Sequence, residues 1–418
     1  MIGCDASRAG GRRFRPTGSR VRIDPVKLNH GLHLAYCTNV HRGGDWPETL
    51  ASLEKYTLAV RRKVSPDQPY AIGLRLSDTA SRQLSEPHTL RAFRQWLERN
   101  RCYIFTINGF PYGNFHGTRV KENVSQPDWS SPDRLAYTNR LFDLLAELVP
   151  PGIEASVSTV PVSFKAFRLG ERGLRTALEH LWRCVEHMES LTRRTGAKFH
   201  LGLEPEPFGT VENTAEFIEL FDRLEAQRPG DLRLREHLGI NYDTCHFALQ
   251  YESPGEALGR LRRRGIKISK LHLSNALRVH PTAEVRTALA AFVDDVYFHQ
   301  VIERRTDGDL IRYADLDEAL VTPLSDGPQR DREWRIHFHI PLHSPETEQF
   351  GTTADNLRGV LDVVKQNPAL CSHLEMETYT WEVLPRELKQ ASVVDMLVSE
   401  YHWTLAELEQ RGIRPVAS

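Results

Sequence analysis

Four residues of types that ligate hard cations recur at the ends of short apolar runs. They are Glu204 in KFHLGLE (198–204), Asp243 in LGINYD (238–243), His272 in ISKLHLS (268–274) and Glu377 in SHLEME (372–377). Successive side chains of a strand point to opposite faces. In the first run Phe199, Leu201 and Leu203 face one way, while His200, Gly202 and Glu204 face the other. The same parity groups Asn241 with Asp243, Lys270 with His272, and His373 with Glu375 and Glu377. With the apolar faces under helices, four strands deliver an ionisable residue to one end of a sheet. Three carboxylates and an imidazole repel one another there unless a cation sits among them. A divalent ion with oxygen and nitrogen ligands fits, and Mn, Mg, Co and Zn all qualify. Each residue alone has a plain alternative. Asp243 stands where a helix cap would, His272 reads equally as a hydrogen-bonded core histidine, Glu204 as a loop acid, and Glu377 as an ion-pair partner. The metal reading rests on the set.

The elements that must position these residues alternate along the chain. Strand candidates occupy 32–37, 70–76, 102–108, 154–160, 198–204, 238–243, 268–274, 335–340 and 372–377. Between them, 88–100 carries apolar residues at the helical period, 131–149 opens with Ser131 and Pro132, and 213–224 opens on Asn213 or Thr214. Strand–helix repeats imply a parallel sheet, and eight of them a (β/α)₈ TIM barrel with its chemistry at the C-terminal strand ends. Nine candidates leave one over. Residues 275–340 form the expected insertion over the barrel mouth, with a hairpin turn at Asp307-Gly308 and RIHFHI (335–340) as a strand outside the barrel. One domain is expected over 29–418, after a basic, disordered extension over 1–28.

Composition narrows the function classes. The chain has 418 residues, 40% hydrophobic and 26% charged, with a net charge of −1, and a pI near 7.0. No global basic field recruits nucleic acid. No apolar run reaches the ~18 residues of a membrane span. Six scattered cysteines without CxxC spacing imply reduced thiols and a cytoplasmic protein. GxSxG, GxGxxG and GxxxxGK[ST] motifs are all missing.

The motifs also carry a family resemblance. Glu204-Pro205, Asp243-Thr244-Cys245-His246, His272 through Arg278 in HLSNALR, and Glu377 in EMETYTW resemble, in order and spacing, the xylose isomerase-like (AP endonuclease family 2) TIM-barrel superfamily. Its ketose 3-epimerases show that succession. The resemblance implies that Glu204, Asp243, His272 and Glu377 hold the metal and that His246 and Arg278 contact substrate oxygens. Over most of its length the chain looks more similar still to the EboE-like metabolite traffic proteins, through YCTNVH (36–41), FTINGFPYGNFHG (105–117), VYFHQV (296–301), HFHIPLH (337–343) and LEMETYTW (374–381). That family implies a secondary-metabolite pathway and leaves the reaction open. The epimerases lack the insertion. In the endonuclease and xylose isomerase branches a close pair of ligands follows the histidine strand. His337 and His339 stand in that position, either as second-metal ligands or as substrate-facing histidines in a wet wall.

These residue types suit one chemistry. A metal would act as Lewis acid toward a hydroxy-carbonyl substrate, with Glu204 and Glu377 as catalytic proton carriers on its two faces, through an enediolate. The outcome is epimerisation or isomerisation of a sugar, a cyclitol or a sugar-phosphate-like compound. Asn108, Tyr112 and His116 are polar handles near the mouth, among aromatics that either stack on a ring or pack a lid. The expected partner is a small polyhydroxylated or cyclic metabolite, with a homo-oligomer left open and nucleic acid excluded. Two rivals stand beside this reading: a metabolite-binding protein that keeps the metal pocket without this turnover, and a phosphodiesterase of the endonuclease type. The second calls for more histidine ligands and a basic groove, which the charge balance disfavours.

Overall fold

The structure, a computed structural model, describes residues 28–117, 119–323, 331–385, 389 and 392–416. Seven strands lead the chain: β1 (His33–Tyr36), β2 (Tyr70–Arg75), β3 (Cys102–Asn108), β4 (Ala155–Thr159), β5 (Phe199–Leu203), β6 (Leu238–Asp243) and β7 (Lys267–Leu273). Then come β8 (Asn275–Val279), β9 (Val301–Arg304), β10 (Leu310–Tyr313), β11 (Glu333–Ile340) and β12 (Gly351–Thr352), before β13 (His373–Met376). Strands β1–β7 and β13 pair in parallel in the order β1-β13-β7-β6-β5-β4-β3-β2. A parallel bridge between Cys37 and Gly73 joins the two ends into a TIM barrel. Only glycine fits at that seam. A Cβ on Gly73 would lie 1.9 Å from Glu375 Oε1 and 2.7 Å from the Tyr36 carbonyl.

The helices follow their sequence signals. Ser131 caps Pro132–Leu148 by accepting from the Asp133 amide, and Asn213 caps Thr214–Gln227 by accepting from the Glu216 amide. The outer layer also includes Pro87–Arg99, Gly170–Thr195, Ala354–Gln366 and Val393–Gln410. Their apolar faces pack on the barrel, and the strand side chains beneath them, such as Phe199, Leu201 and Leu203, are fully buried.

The insertion folds as a second sheet, antiparallel, in the order β10-β9-β11-β8-β12. The hairpin turns at Asp307-Gly308, where Gly308 adopts φ +92°. As the pattern implied, β11 lies outside the barrel and carries HFHI over its mouth. The expectation for the basic extension falls outside the described residues except at Leu28, which is buried and bridges Pro415. The five described cysteines are free and buried. Among the described residues no helix is long and apolar enough to cross a membrane.

Candidate metal centre

The four expected ligands meet. Glu204 follows β5 directly, its amide donating to the Thr159 carbonyl at 3.0 Å, and Glu377 follows β13, its amide donating to the Leu273 carbonyl at 3.0 Å. Asp243 ends β6 and His272 is the penultimate residue of β7. All four side chains are buried, with ligand atoms inside a 4.8 Å cluster. His272 Nδ1 lies 3.0 Å from Glu204 Oε1, 3.1 Å from Glu377 Oε2 and 3.6 Å from Asp243 Oδ2.

The surroundings leave one face of each carboxylate open. Glu377 Oε1 accepts from Asn39 Nδ2 at 2.7 Å and Asn108 Nδ2 at 3.0 Å. Asp243 Oδ1 accepts from the Cys245 and His246 amides and from Ser274 Oγ. The choice between cap and ligand at Asp243 dissolves, since one oxygen caps the helix Thr244–Leu249 and the other faces the cluster. Glu204 Oε2 and Asp243 Oδ2 are buried with no hydrogen-bond partner. Such oxygens are costly to leave dry, and a divalent cation satisfies both, so the donor set fits the metal the sequence called for.

His272 is oriented from behind. Its Nε2 lies 2.8 Å from Glu375 Oε2, which also accepts from Lys270 Nζ at 2.5 Å. Carboxylate support of this kind fixes which imidazole nitrogen faces a metal. Burial pushes the Glu375 carboxyl up, but Lys270 and His272 outweigh it and hold it at about 2. Burial likewise disfavours charge on His272, yet Glu377 and Glu204 raise its pKa well above the ordinary value.

Beside this locus lies a second. His246 Nε2 and His337 Nε2 are 3.1 Å apart, His337 and His339 3.3 Å, and His339 and His246 3.4 Å. Each ring's Nδ1 faces a carbonyl-type oxygen: Pro205 O for His246, Gln300 Oε1 for His337 and Glu377 O for His339. The Gln300 amide is itself fixed by donating from Nε2 to Pro207 O. Carbonyls only accept, so each Nδ1 donates, and in the neutral form of each ring the Nε2 lone pair points at one shared spot. Tetrahedral zinc at about 2.0–2.1 Å from nitrogen places neighbouring nitrogens about 3.3 Å apart. Asp243 stands within ligand reach of His246 and His339 and so lies between the two loci.

The other expected residues divide. Asn108 reaches the cleft, where it holds Glu377. His116 stands one step back: its Nε2 meets the Asn39 carbonyl at 2.5 Å and its Nδ1 the Tyr297 hydroxyl at 2.7 Å. Tyr112 is not brought to the cleft but packs edge-on against Tyr137, ring centroids 5.0 Å apart. Arg278 is not brought there either. It lies in β8 and pairs with Glu346 and Asp355 at the surface. The family spacing presumes a loop after the histidine, whereas this chain forms a strand whose alternation turns Arg278 outward.

Glu206, not singled out from the sequence, lines the cleft with Glu204 and His246. Burial, reinforced by Glu204, Glu377 and Asp243 and opposed by His246, pushes its carboxyl up to about 8. Its only sequence signal is the repeated Glu-Pro of EPEP (204–207).

No family model and no curated protein matches the chain. Solved structures do. A xylose isomerase-like TIM barrel protein from Mycobacterium smegmatis, in complex with magnesium, superposes with a TM-score of 0.50 at 13% identity, covering 91% of this chain and 97% of that one. A D-tagatose 3-epimerase-like protein gives 0.48 at 13% identity over 91% and 98%. An IolI protein with a bound zinc atom gives 0.46 at 13% identity over 90% and 98%. The fold is that of a xylose isomerase-like TIM barrel.

Proposed function

We propose that the chain is a metal-dependent isomerase or epimerase of a sugar, a cyclitol or a related hydroxy-carbonyl compound, acting through an enediolate. One observation carries the reading. Three buried carboxylates, two with an oxygen lacking any partner, converge with His272 Nδ1 at the C-terminal mouth of the barrel. A divalent cation held there by Glu204, Asp243, His272 and Glu377 supplies Lewis acidity toward a substrate carbonyl.

The chain's own groups do the rest. Glu204 and Glu377 come from strands separated by β6 and β7, so they flank a substrate from two sides and can take and return a proton. Asn39 and Asn108 occupy Glu377 Oε1, which leaves Oε2 to face the cluster. Glu206 offers a neutral carboxyl as donor to a substrate oxygen. The three histidines give a second cation a nitrogen-rich locus beside the first. Arg278 is spent at the surface, so the reading does not extend to a phosphate held by that residue. The motifs shared with the EboE-like family support a place in a secondary-metabolite pathway, in the cytoplasm.

Elemental analysis tests the site. Purified wild type is expected to hold near-stoichiometric divalent metal that a Glu204→Gln, Asp243→Asn variant lacks, and equal metal in both defeats the site. Deuterium exchange from solvent into a carbon-bound position of a hydroxy-ketone separates turnover from mere binding. No exchange across a panel of ketoses and cyclitol ketones favours the metabolite-binding alternative.

A further inference from the structure

The cleft that leads to the metal centre opens to solvent and has a cavity volume of about 60 Å³. Its inner end is polar and its outer walls are not. On one side Phe115, Tyr297 and Tyr379 form a triangle with ring centroids 5.2–5.3 Å apart. Phe164 and Phe298 also line the cleft, stacked at 5.9 Å with their planes 14° apart, and Val120 and Val124 add methyl groups. Two segments distant in sequence are tied together to make this lip, since the Val120 and Lys121 amides both donate to the Val296 carbonyl.

Two of the polar side chains along the walls are already engaged. The Tyr297 hydroxyl donates to the Phe115 carbonyl at 3.0 Å and meets His116 Nδ1 at 2.7 Å. Gln300 is spent on His337 and Pro207. A polyhydroxylated sugar needs hydrogen-bond partners around its ring, and these walls offer ring faces and methyl groups instead. Charge points the same way. Among the described residues lining the cleft, Lys121 is the sole lysine or arginine, and a buried pair with Asp315 at 2.5 Å consumes it. Four carboxyl groups line the same space: Glu122, Glu204, Glu206 and Glu377.

We infer that the substrate is an uncharged two-part molecule, with a vicinal oxygen-bearing head at the metal centre and a flat apolar or aromatic arm lying along the rings of Phe164, Phe298, Phe115, Tyr297 and Tyr379. This rests on the metal-centre reading and adds the arm. With no unpaired lysine or arginine among the described lining residues, phosphorylated and carboxylated compounds find no side-chain counter-charge, and small free sugars leave the aromatic walls unfilled.

Two hydroxamic acids with the same chelating head test the arm on the manganese-loaded full chain by calorimetry. Benzohydroxamate is expected to bind about tenfold or more tightly than acetohydroxamate, since a ring is buried only in the first. A benzohydroxamate with a para-carboxylate is expected to lose that advantage. Phe164→Ala with Phe298→Ala is expected to remove the preference while leaving acetohydroxamate affinity within twofold. Equal affinity of the two parent hydroxamates, or no loss with the carboxylate, overturns the arm and leaves the metal centre standing. Failure of acetohydroxamate itself to bind overturns the metal centre and the arm with it.

Discussion

The barrel carries a histidine cluster at each end, and the two look alike until their nitrogens are followed. At the N-terminal end, His373 lies 6.3 Å from His33 and 5.1 Å from His200, centroid to centroid. At the mouth, His246, His337 and His339 are 4.7–5.4 Å apart. The rings below meet hydroxyls: Tyr103 for His33, Ser269 for His200 and Ser156 for His373, all within 2.9 Å. Hydroxyls donate or accept as needed, so they leave each tautomer open, and Nε2 of His200 and of His373 is buried without a hydrogen-bond partner but does not meet the other's. The rings above donate to carbonyls and turn three lone pairs on one another. Residue type makes neither cluster a site; the convergence of three Nε2 atoms, found only among His246, His337 and His339 of these six rings, does. The buried Lys270–Glu375 pair runs between the ends, and Glu375 also holds His272.

Four experiments bear on that contrast. Lys270→Met strands the Glu375 carboxyl in the barrel centre and is expected to cost about 3–5 kcal/mol in urea unfolding. A small cost would disconnect the middle layer from both ends. Next, His373→Ala empties a packed position against Phe105, whose ring centroid lies 4.7 Å away. The expected loss is about 2 kcal/mol, with metal content unchanged. His337→Ala should do the reverse, removing one metal equivalent while metal-free stability moves by less than about 1 kcal/mol. Should these two variants behave alike, the clusters are equivalent and the contrast fails.

The smallest effect concerns acid. Glu154, beside His200 Nε2 at 3.5 Å, has its carboxyl drawn from 4.5 to about 2, by His200 first and against burial. Its folded pKa lies below the unfolded one, so the unfolded chain takes the proton first. Stability from this contact is present above pH ~4.5 and falls away as pH drops toward ~2. Glu154→Gln should flatten that limb of the melting temperature against pH and leave the neutral plateau nearly unchanged.

Strand parity made much of this legible. Glu204, Asp243, His272 and Glu377 were found because alternation is rigid and the C-terminal ends of barrel strands converge whatever the loops do. The strands themselves lie within one or two residues of their apolar runs, and the extra β-run of the insertion was correctly kept out of the barrel. The residues that the structure places away from the cleft, or that the sequence does not single out, depend on how connecting segments fold. Arg278 was placed by a spacing that holds only if residues 275–279 are not a strand. Tyr112 follows a turn that folds back under β3 toward Tyr137. Asn39, Glu206 and Gln300 owe their positions to long-range packing of connecting segments, which no local period encodes. His116, singled out by residue type, meets the Asn39 carbonyl rather than the cleft itself.

The two oxygens of Asp243 have a dynamic consequence. Because Oδ1 accepts from the Cys245 and His246 amides while Oδ2 faces the cluster, the first turn of a short helix hangs from a group that also answers to the site. Pulling Asp243 toward a cation would tighten or slacken that turn. The exchange rates of just two backbone amides thus become an internal gauge of occupancy, readable without any substrate and at a place where His246 itself is carried on the moving part.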